Sequence, residues 1–449
     1  MKRLSMILDR FFFRRISANG WGLMRILWAG VALLYFLMQW HDVAWYYSAE
    51  GISPPAIWNE LFRNEYRFTL LSYVTTPDAV FGVYLALLVA LALTLVGYKT
   101  RLSLFISVLL LFSFHERNLF MLGGGDTVLR VLGFLLLISP EVRALSIDRL
   151  KLQWKHYRAK GELLPSLSMS IWPMRMLLWQ YIVIYLTSVW DKFLGEMWLD
   201  GTAVASALHH TDFARWPMPV MDLVSMTSPI VSYGTLAFEL AWVLLLIPRS
   251  VWTRLPQIFE PHSLRRALLF GGILFHGGIF MMMDVGSFSL AMMAGYAGLL
   301  LGEDFRELRR WCNRRWDRGS IRTGEDHPRI LVLYDGVCRL CRRSLFVLLI
   351  LDRLDRLRPV DFHNGQLRRE LVPDLKAADL DRSMHVRFPS GCTAHGFDGV
   401  RALAWHLPPL WLIAPFLYLP GVAPIGRKIY ARIAANRLQC SDGACVHTK

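Results

Sequence analysis

The sequence predicts an α-helical polytopic membrane bundle of about eight transmembrane helices, followed by a small soluble α/β domain. Three observations carry this. Of the 449 residues, 54% are hydrophobic, above the roughly 45–50% usual for soluble domains, and the excess is gathered into long apolar runs within the first 300. Basic clusters recur in every second loop between those runs. Near the C-terminus, a short apolar strand leads directly into a helix that opens on Cys338-Arg339-Leu340-Cys341.

A spanning helix needs about 20 mostly apolar residues. Runs of that kind fall near 21–40, 78–98, 102–119, 126–142, 173–191, 228–247, 264–283 and 285–302. The third and fourth are the shortest, and the last two are joined by a tight turn at Asp284-Val285-Gly286. The basic N-terminus resembles the start of a signal peptide. Its apolar run is too long, however, and Gln39-Trp40-His41-Asp42 is a poor cleavage site, so an uncleaved first helix is expected.

The loops test this count. The N-terminal tail, Tyr98 to Arg101, Arg143 to Lys160, Arg249 to Arg266 and Arg306 to Arg329 are basic and lie on one side of an eight-helix bundle. The opposite loops are poorer in Lys and Arg. The positive-inside rule makes the basic side cytoplasmic and puts both termini there, as in a bacterial inner-membrane protein. Membrane orientation also accounts for the net charge of +15. No basic helix or aromatic-basic platform suggests a nucleic-acid partner. The expected partners are the lipid bilayer and a protein or small-molecule thiol.

These patterns divide the chain into a membrane domain at 1–303, a basic linker at 304–328 and a C-terminal domain at 329–449. The last begins with a strand at 330–333, a loop Tyr334-Asp335-Gly336 and a helix from near Cys338. A strand at 384–388, a hairpin turn at Pro389-Ser390-Gly391, and helices near 398–407 and 422–437 follow.

Cysteine placement points to chemistry. Six cysteines in so long a chain are not a disulfide framework. At a helix N-terminus, unpaired N–H groups and the helix dipole favour a thiolate, which lowers the first thiol's pKa. Cys338 is therefore the expected nucleophile. Cys341, one turn on, is the resolving thiol, and Arg339, Arg342 and Arg343 would add positive potential. Asp335, three residues before Cys338, would accept a proton from the thiol or cap the turn. Half of a zinc site completed by Cys440 and Cys445, and a purely structural pair, stay open as alternatives. No metal is expected.

Leu333-Tyr334-Asp335-Gly336-Val337-Cys338-Arg339-Leu340-Cys341 resembles the signature of the DCC-type thiol–disulfide oxidoreductases, named for their Asp and two Cys. The resemblance continues through Met384-His385-Val386, Gly399 to Leu403, Leu419 to Val422 and Tyr430 to Arg437, covering about 330–440. It implies a thioredoxin-like fold.

Ionisable groups in spans are costly and are site hypotheses by default. Lys192 closes the fifth helix beside Asp191, its simplest partner. Asp126 and Arg130 stand four apart on the fourth helix as an expected pair. His115, Glu116 and Arg117 end the third helix, and Glu239 and His276 lie deeper. Gly123-Gly124-Gly125 lacks the Lys-Ser of a phosphate loop and reads as a tight turn. Residues 15–300 resemble the HTTM domain shared with vitamin K-dependent γ-carboxylases. The segments that carry this are Arg117-Asn118 with Gly124-Gly125-Asp126, Lys192 through Trp198 to Ala203, and Phe275-His276 with Asp284 to Phe288. The resemblance implies a quinone or hydroquinone site involving Arg117, Asp126, Lys192 and His276, with Lys192 matching the carboxylase base.

Two enzymatic readings result. One is a membrane-anchored thiol–disulfide oxidoreductase using Cys338 and Cys341, coupled to a quinone-binding bundle. The other is a carboxylase-like, hydroquinone-oxidising enzyme centred on Lys192. A third reading is non-enzymatic, a redox-sensing membrane scaffold. Cytoplasmic cysteines would face a reducing compartment, which favours reduction or sensing over disulfide formation.

Overall fold

The computed structural model describes residues 9, 11–52, 54–61, 67–247, 261–316, 329–435, 438–441 and 444–447. The chain divides into two compact units, Met1–Gly302 and Glu303–Lys449.

The first unit is helical. Its main helices are α1 (Asn19–Met38), α2 (Pro77–Val96), α3 (Thr100–Arg117), α4 (Gly124–Ile138), α5 (Trp172–Phe193), α6 (Ser228–Ala241, continued as a 3₁₀ turn to Leu246), α7 (Pro261–Met282) and α8 (Phe288–Tyr296). Helix α1 packs on α2 and α8, α4 on α3 and α8, and α5 on α6. Among the described residues, four helices are long and apolar enough to cross a membrane: Asn19–Met38, Pro77–Val96, Ser228–Leu246 and His262–Met282.

The other four expected spans are helices too, but they fall short for physical reasons. Helix α4 has 15 residues, a length of about 22 Å at 1.5 Å per residue, against roughly 30 Å of hydrocarbon. The expected span 285–302 yields only a nine-residue helix and a 3₁₀ turn. Helix α3 carries Arg101, His115, Glu116 and Arg117, and α5 carries Arg175, Asp191 and Lys192.

Several backbone polar groups near helix ends are met by side chains of the same unit. Arg25 is fully buried and donates to the carbonyls of Thr94 (3.2 Å) and Leu145 (3.0 Å). Asp148 accepts from the backbone N–H groups of Lys99 and Thr100 at 3.0 and 2.8 Å, capping α3. Tyr84 donates to the Phe36 carbonyl at 2.7 Å. The three-glycine segment starts a helix rather than forming a free turn. A Cβ on Gly125 would collide with Ser287 and the backbone of Phe288, so glycine is what lets α4 close on α8.

In the second unit, part of the expected linker is itself ordered: α9 (Gly302–Trp316) is a helix within this unit. Asn313 on α9 donates to the Leu354 carbonyl (3.1 Å) and accepts from the Arg356 guanidinium (2.9 Å). The remainder of the linker, 317–328, lies outside the described residues. Beyond it, β1 (Ile330–Tyr334), α10 (Arg339–Leu351), β2 (Leu357–Asp361), α11 (Gly365–Leu371), α12 (Ala377–Arg382), β3 (His385–Arg387), β4 (Thr393–His395), α13 (Gly396–Ala404) and α14 (Val422–Ala435) follow. The sheet order is β2-β1-β3-β4, with β1 parallel to β2 and antiparallel to β3.

Two apolar clusters hold this sheet. Val332, Leu345, Val386 and Leu403 pack in one, and Leu333, Phe362, Val372 and Leu380 in the other. Alternate residues of β1 thus feed opposite clusters, the period-2 pattern of a strand buried on both faces. Strand β2, with α11 and α12, was not anticipated. Arg358-Pro359 breaks its apolar pattern.

Candidate functional site

The central strand β1 delivers the chain to Asp335-Gly336-Val337 and then to Cys338, which is the N-cap of α10. One carboxylate oxygen of Asp335 accepts from the N–H of Val337 (2.9 Å) and of Cys338 (3.0 Å). His363 Nε2 stands 3.1 Å from the same oxygen. The turn is also gripped from β2, where Asp361 accepts from the Gly336 N–H at 3.2 Å. A Cβ on Gly336 would collide with the Asp361 carboxylate, so glycine is required by the close approach. Sequence reasoning missed Asp361 and His363. Their signal was a short polar run directly after a strand that itself went unseen.

The Cys338 sulfur accepts from the Cys341 N–H at 3.4 Å, filling the capping role that a Ser or Asp oxygen usually plays. Both cysteines are free thiols, and Cys338 is only 3% exposed. The Cys338 pKa is lowered from the usual thiol value to about 6. The largest cause is the hydrogen bond from the Cys341 side chain. Burial opposes it, the N–H groups of Cys341 and Leu340 add to it, and the Asp335 charge works against it. The leading causes are the second thiol and the helix N-terminus, ahead of the neighbouring arginines.

A test follows from the signs. Alkylation of Cys338, followed site by site in the wild-type protein, rises with pH through a midpoint near 6 as thiol becomes thiolate. In Asp335→Asn, which keeps an oxygen for the turn and removes the charge, the midpoint moves lower. An unchanged midpoint makes Asp335 a turn cap without electrostatic influence on the thiol.

Beside Cys341 lies a cavity of about 70 Å³ lined by Tyr334, Leu340, Ser344, Met384, Tyr430 and Ile433, among others. Tyr430 closes it by accepting from the Met384 N–H at 3.0 Å. Among the described residues, no group of three or more His, Cys, Asp or Glu is placed to hold a metal. The side chains of Cys440 and Cys445 lie outside the described residues.

A strand–turn–helix arrangement with one thiol at the helix N-cap and a second thiol one turn on has the geometry that thiol–disulfide exchange calls for. Residues 332–442 match the family model of DCC1-like thiol-disulfide oxidoreductases, so this stretch of the chain is a domain of that kind. No curated protein and no solved structure matches the chain.

In the first unit the expected site residues separate into two groups. Lys192 and His276 line one cavity of about 520 Å³, mostly apolar, with Tyr185, Ser188, Trp198 and Glu239 at its polar part. Lys192 does not pair with Asp191. Its ammonium donates to both Glu239 oxygens (2.6 and 2.8 Å) and to Ser188 Oγ (2.5 Å), and it lies 4.9 Å from the centre of the Trp198 ring. Helical spacing explains this: Ser188 lies one turn before Lys192 on the inner face, whereas Asp191 points elsewhere. His276 Nε2 meets Tyr185 Oη at 2.9 Å, and Tyr185 also bonds Tyr296. His276 is 1% exposed, and among the described residues its Nδ1 has no hydrogen-bond partner.

Arg117 and Asp126 stand apart from this cavity. Arg117 is buried and donates to the Ser48 carbonyl at 3.2 Å. Asp126 accepts from the Gly123 N–H at 2.8 Å and faces His115 at 3.4 Å. The expected Asp126–Arg130 pair is replaced by Arg130–Glu116 at 2.6 Å, with Arg67 on the other Glu116 oxygen at 3.1 Å.

Proposed function

We propose that the chain is a membrane-anchored thiol–disulfide oxidoreductase, with a thioredoxin-like C-terminal domain that uses Cys338 as nucleophile and Cys341 as resolving thiol. The observation that carries this is the Cys338 sulfur held at the α10 N-terminus, with its pKa lowered to about 6, one turn from a second thiol. In the exchange, the Cys338 thiolate attacks a substrate disulfide and expels one substrate thiolate. Cys341 then attacks the mixed disulfide and expels the second. The protein ends as the Cys338–Cys341 disulfide, and the substrate has gained two electrons and two protons. The sheet order β2-β1-β3-β4 and the cysteine-bearing helix that follows β1 support the thioredoxin-like assignment.

The bundle is proposed to cross a bacterial inner membrane eight times, the four shorter or charged helices spanning inside the shelter of the other four, with both termini cytoplasmic. The basic loops support this orientation. In cells, a membrane-impermeant maleimide should reach Cys338 only after lysis. Labelling of intact cells would put the cysteines outside, leave the redox chemistry standing and reverse the topology.

A second reading is favoured by the first unit's cavity. Its volume, apolar wall and buried polar end suit a quinone or hydroquinone head with an apolar tail, as the HTTM resemblance implies. Lys192 and His276 would face the oxygens. Glu239, bonded to Lys192 through both oxygens, makes the lysine a donor to a ligand oxygen more readily than a free base. That weighs against carboxylase-like chemistry and leaves binding as the reading the cavity supports.

A further inference from the structure

The second unit leaves a long apolar strip uncovered. On α14, Ile425, Ile429 and Ile433 repeat every four residues and are all exposed, while Gly426, against Phe397, and Tyr430 pack the adjoining face inward. The segment before it continues the strip. Leu412 is 86% exposed and Phe416 63%. Single exposed apolar residues are ordinary, but a contiguous strip of this size marks an interaction surface.

Charge identifies the partner. From Trp411 to Ala435 there is no acidic residue; by helical spacing Lys428 and Arg432 border the isoleucines, while Arg427 pairs with Asp398 at 2.8 Å on the far side. Helix α9 also exposes apolar residues, Leu308 and Trp311, beside Arg306, Arg309, Arg310, Arg314 and Arg315, with Glu303, Asp304 and Glu307 toward its start. A helix that is apolar on one face, basic on its flanks and bordered by aromatic residues suits the interface of an anionic bilayer. There the apolar side chains enter the acyl boundary and the cations meet headgroup phosphates.

We infer that the α14 strip, with the Leu412–Phe416 segment, lies on the surface of an anionic lipid bilayer. This rests on the reading of the first unit as the membrane anchor. The strip ends at Ile433, which also lines the cavity beside Cys341. The redox pair is thereby brought to the lipid surface, and its substrate class is narrowed to disulfides or thiols held at that surface.

The test uses the full chain in nanodiscs containing phosphatidylglycerol, doped with a diazirine phospholipid, with adducts mapped by peptide mass spectrometry. Adducts are expected on 411–433 as well as on the first unit. They are lost from 411–433 in Leu412→Glu/Ile429→Glu, whose exposed positions leave the fold intact, while adducts on the first unit persist. Adducts confined to the first unit overturn the inference and leave the anchor standing. Absence of adducts from both units removes the anchor as well. Protein cross-links through the same residues, with a dimer by mass photometry, assign the strip to a second copy and overturn the lipid assignment.

Discussion

Cys338→Ser should reduce the disulfide exchange rate of the purified protein to the uncatalysed background, a loss of about a thousandfold or more. A serine hydroxyl in the N-cap position keeps the helix capped but supplies no thiolate and forms no disulfide. Cys341→Ser behaves differently. Cys338 still attacks, but nothing resolves the intermediate, so the variant accumulates as a mixed disulfide with the substrate. Release of one thiol per protein, with a mass increase equal to half the substrate disulfide, distinguishes it from the inactive Cys338 variant. If both single variants retain full turnover, the Cys338–Cys341 pair is not the exchange centre. The two outcomes together separate a working dithiol from a structural or metal-holding pair, because neither of those gives a trapped adduct.

Glu239→Ala should be the most damaging single change in the first unit. The Glu239 side chain is 4% exposed, and Lys192 donates to both of its oxygens. Its removal leaves the ammonium with Ser188 Oγ and the Trp198 ring alone, in an otherwise apolar cavity. Breaking a buried pair from one side typically costs about 3–5 kcal/mol, read as a lower melting temperature in detergent. The double variant Lys192→Met/Glu239→Leu removes both charges and should recover most of the loss. If Glu239→Ala melts with the wild type, the pair is solvated and carries no structural weight. The double variant also bears on ligand binding. A quinone held by the Lys192 ammonium should dissociate from it, whereas one held by packing and His276 should stay.

The parts of the fold with a strong period or a hard physical requirement were legible from residues alone. The apolar runs of α1, α2, α6 and α7 located four candidate spans, and Val332 and Leu333 with the glycine after Asp335 marked the strand and turn that present Cys338. The N-cap position of Cys338 followed from a strand meeting a helix. Strand β2 was hidden because Arg358 and Pro359 interrupt a five-residue run, and with it went Asp361 and His363, whose roles depend on a parallel neighbour 25 or more residues away in the chain. The partner of Lys192 was hidden for a related reason. Asp191 is adjacent in sequence but points off the inner face, while Glu239 reaches Lys192 from another helix. The lengths of α4 and α8 were overestimated because apolar composition continues past the point where Ser139-Pro140 and the Ala297–Leu299 turn end the helices. Pairing across elements, not composition, decided the cases of β2 and Lys192.

The burial of Cys338 has a kinetic consequence. Exchange proceeds only when attacking sulfur, central sulfur and departing sulfur fall on one line, and a nucleophile this enclosed offers few approach directions. A small disulfide, or one on a slender flexible segment, can enter along that line; one sheathed in a folded surface cannot. In the proposed exchange this enclosure would therefore sort disulfides by how thinly they are dressed before their reduction potentials are ever compared.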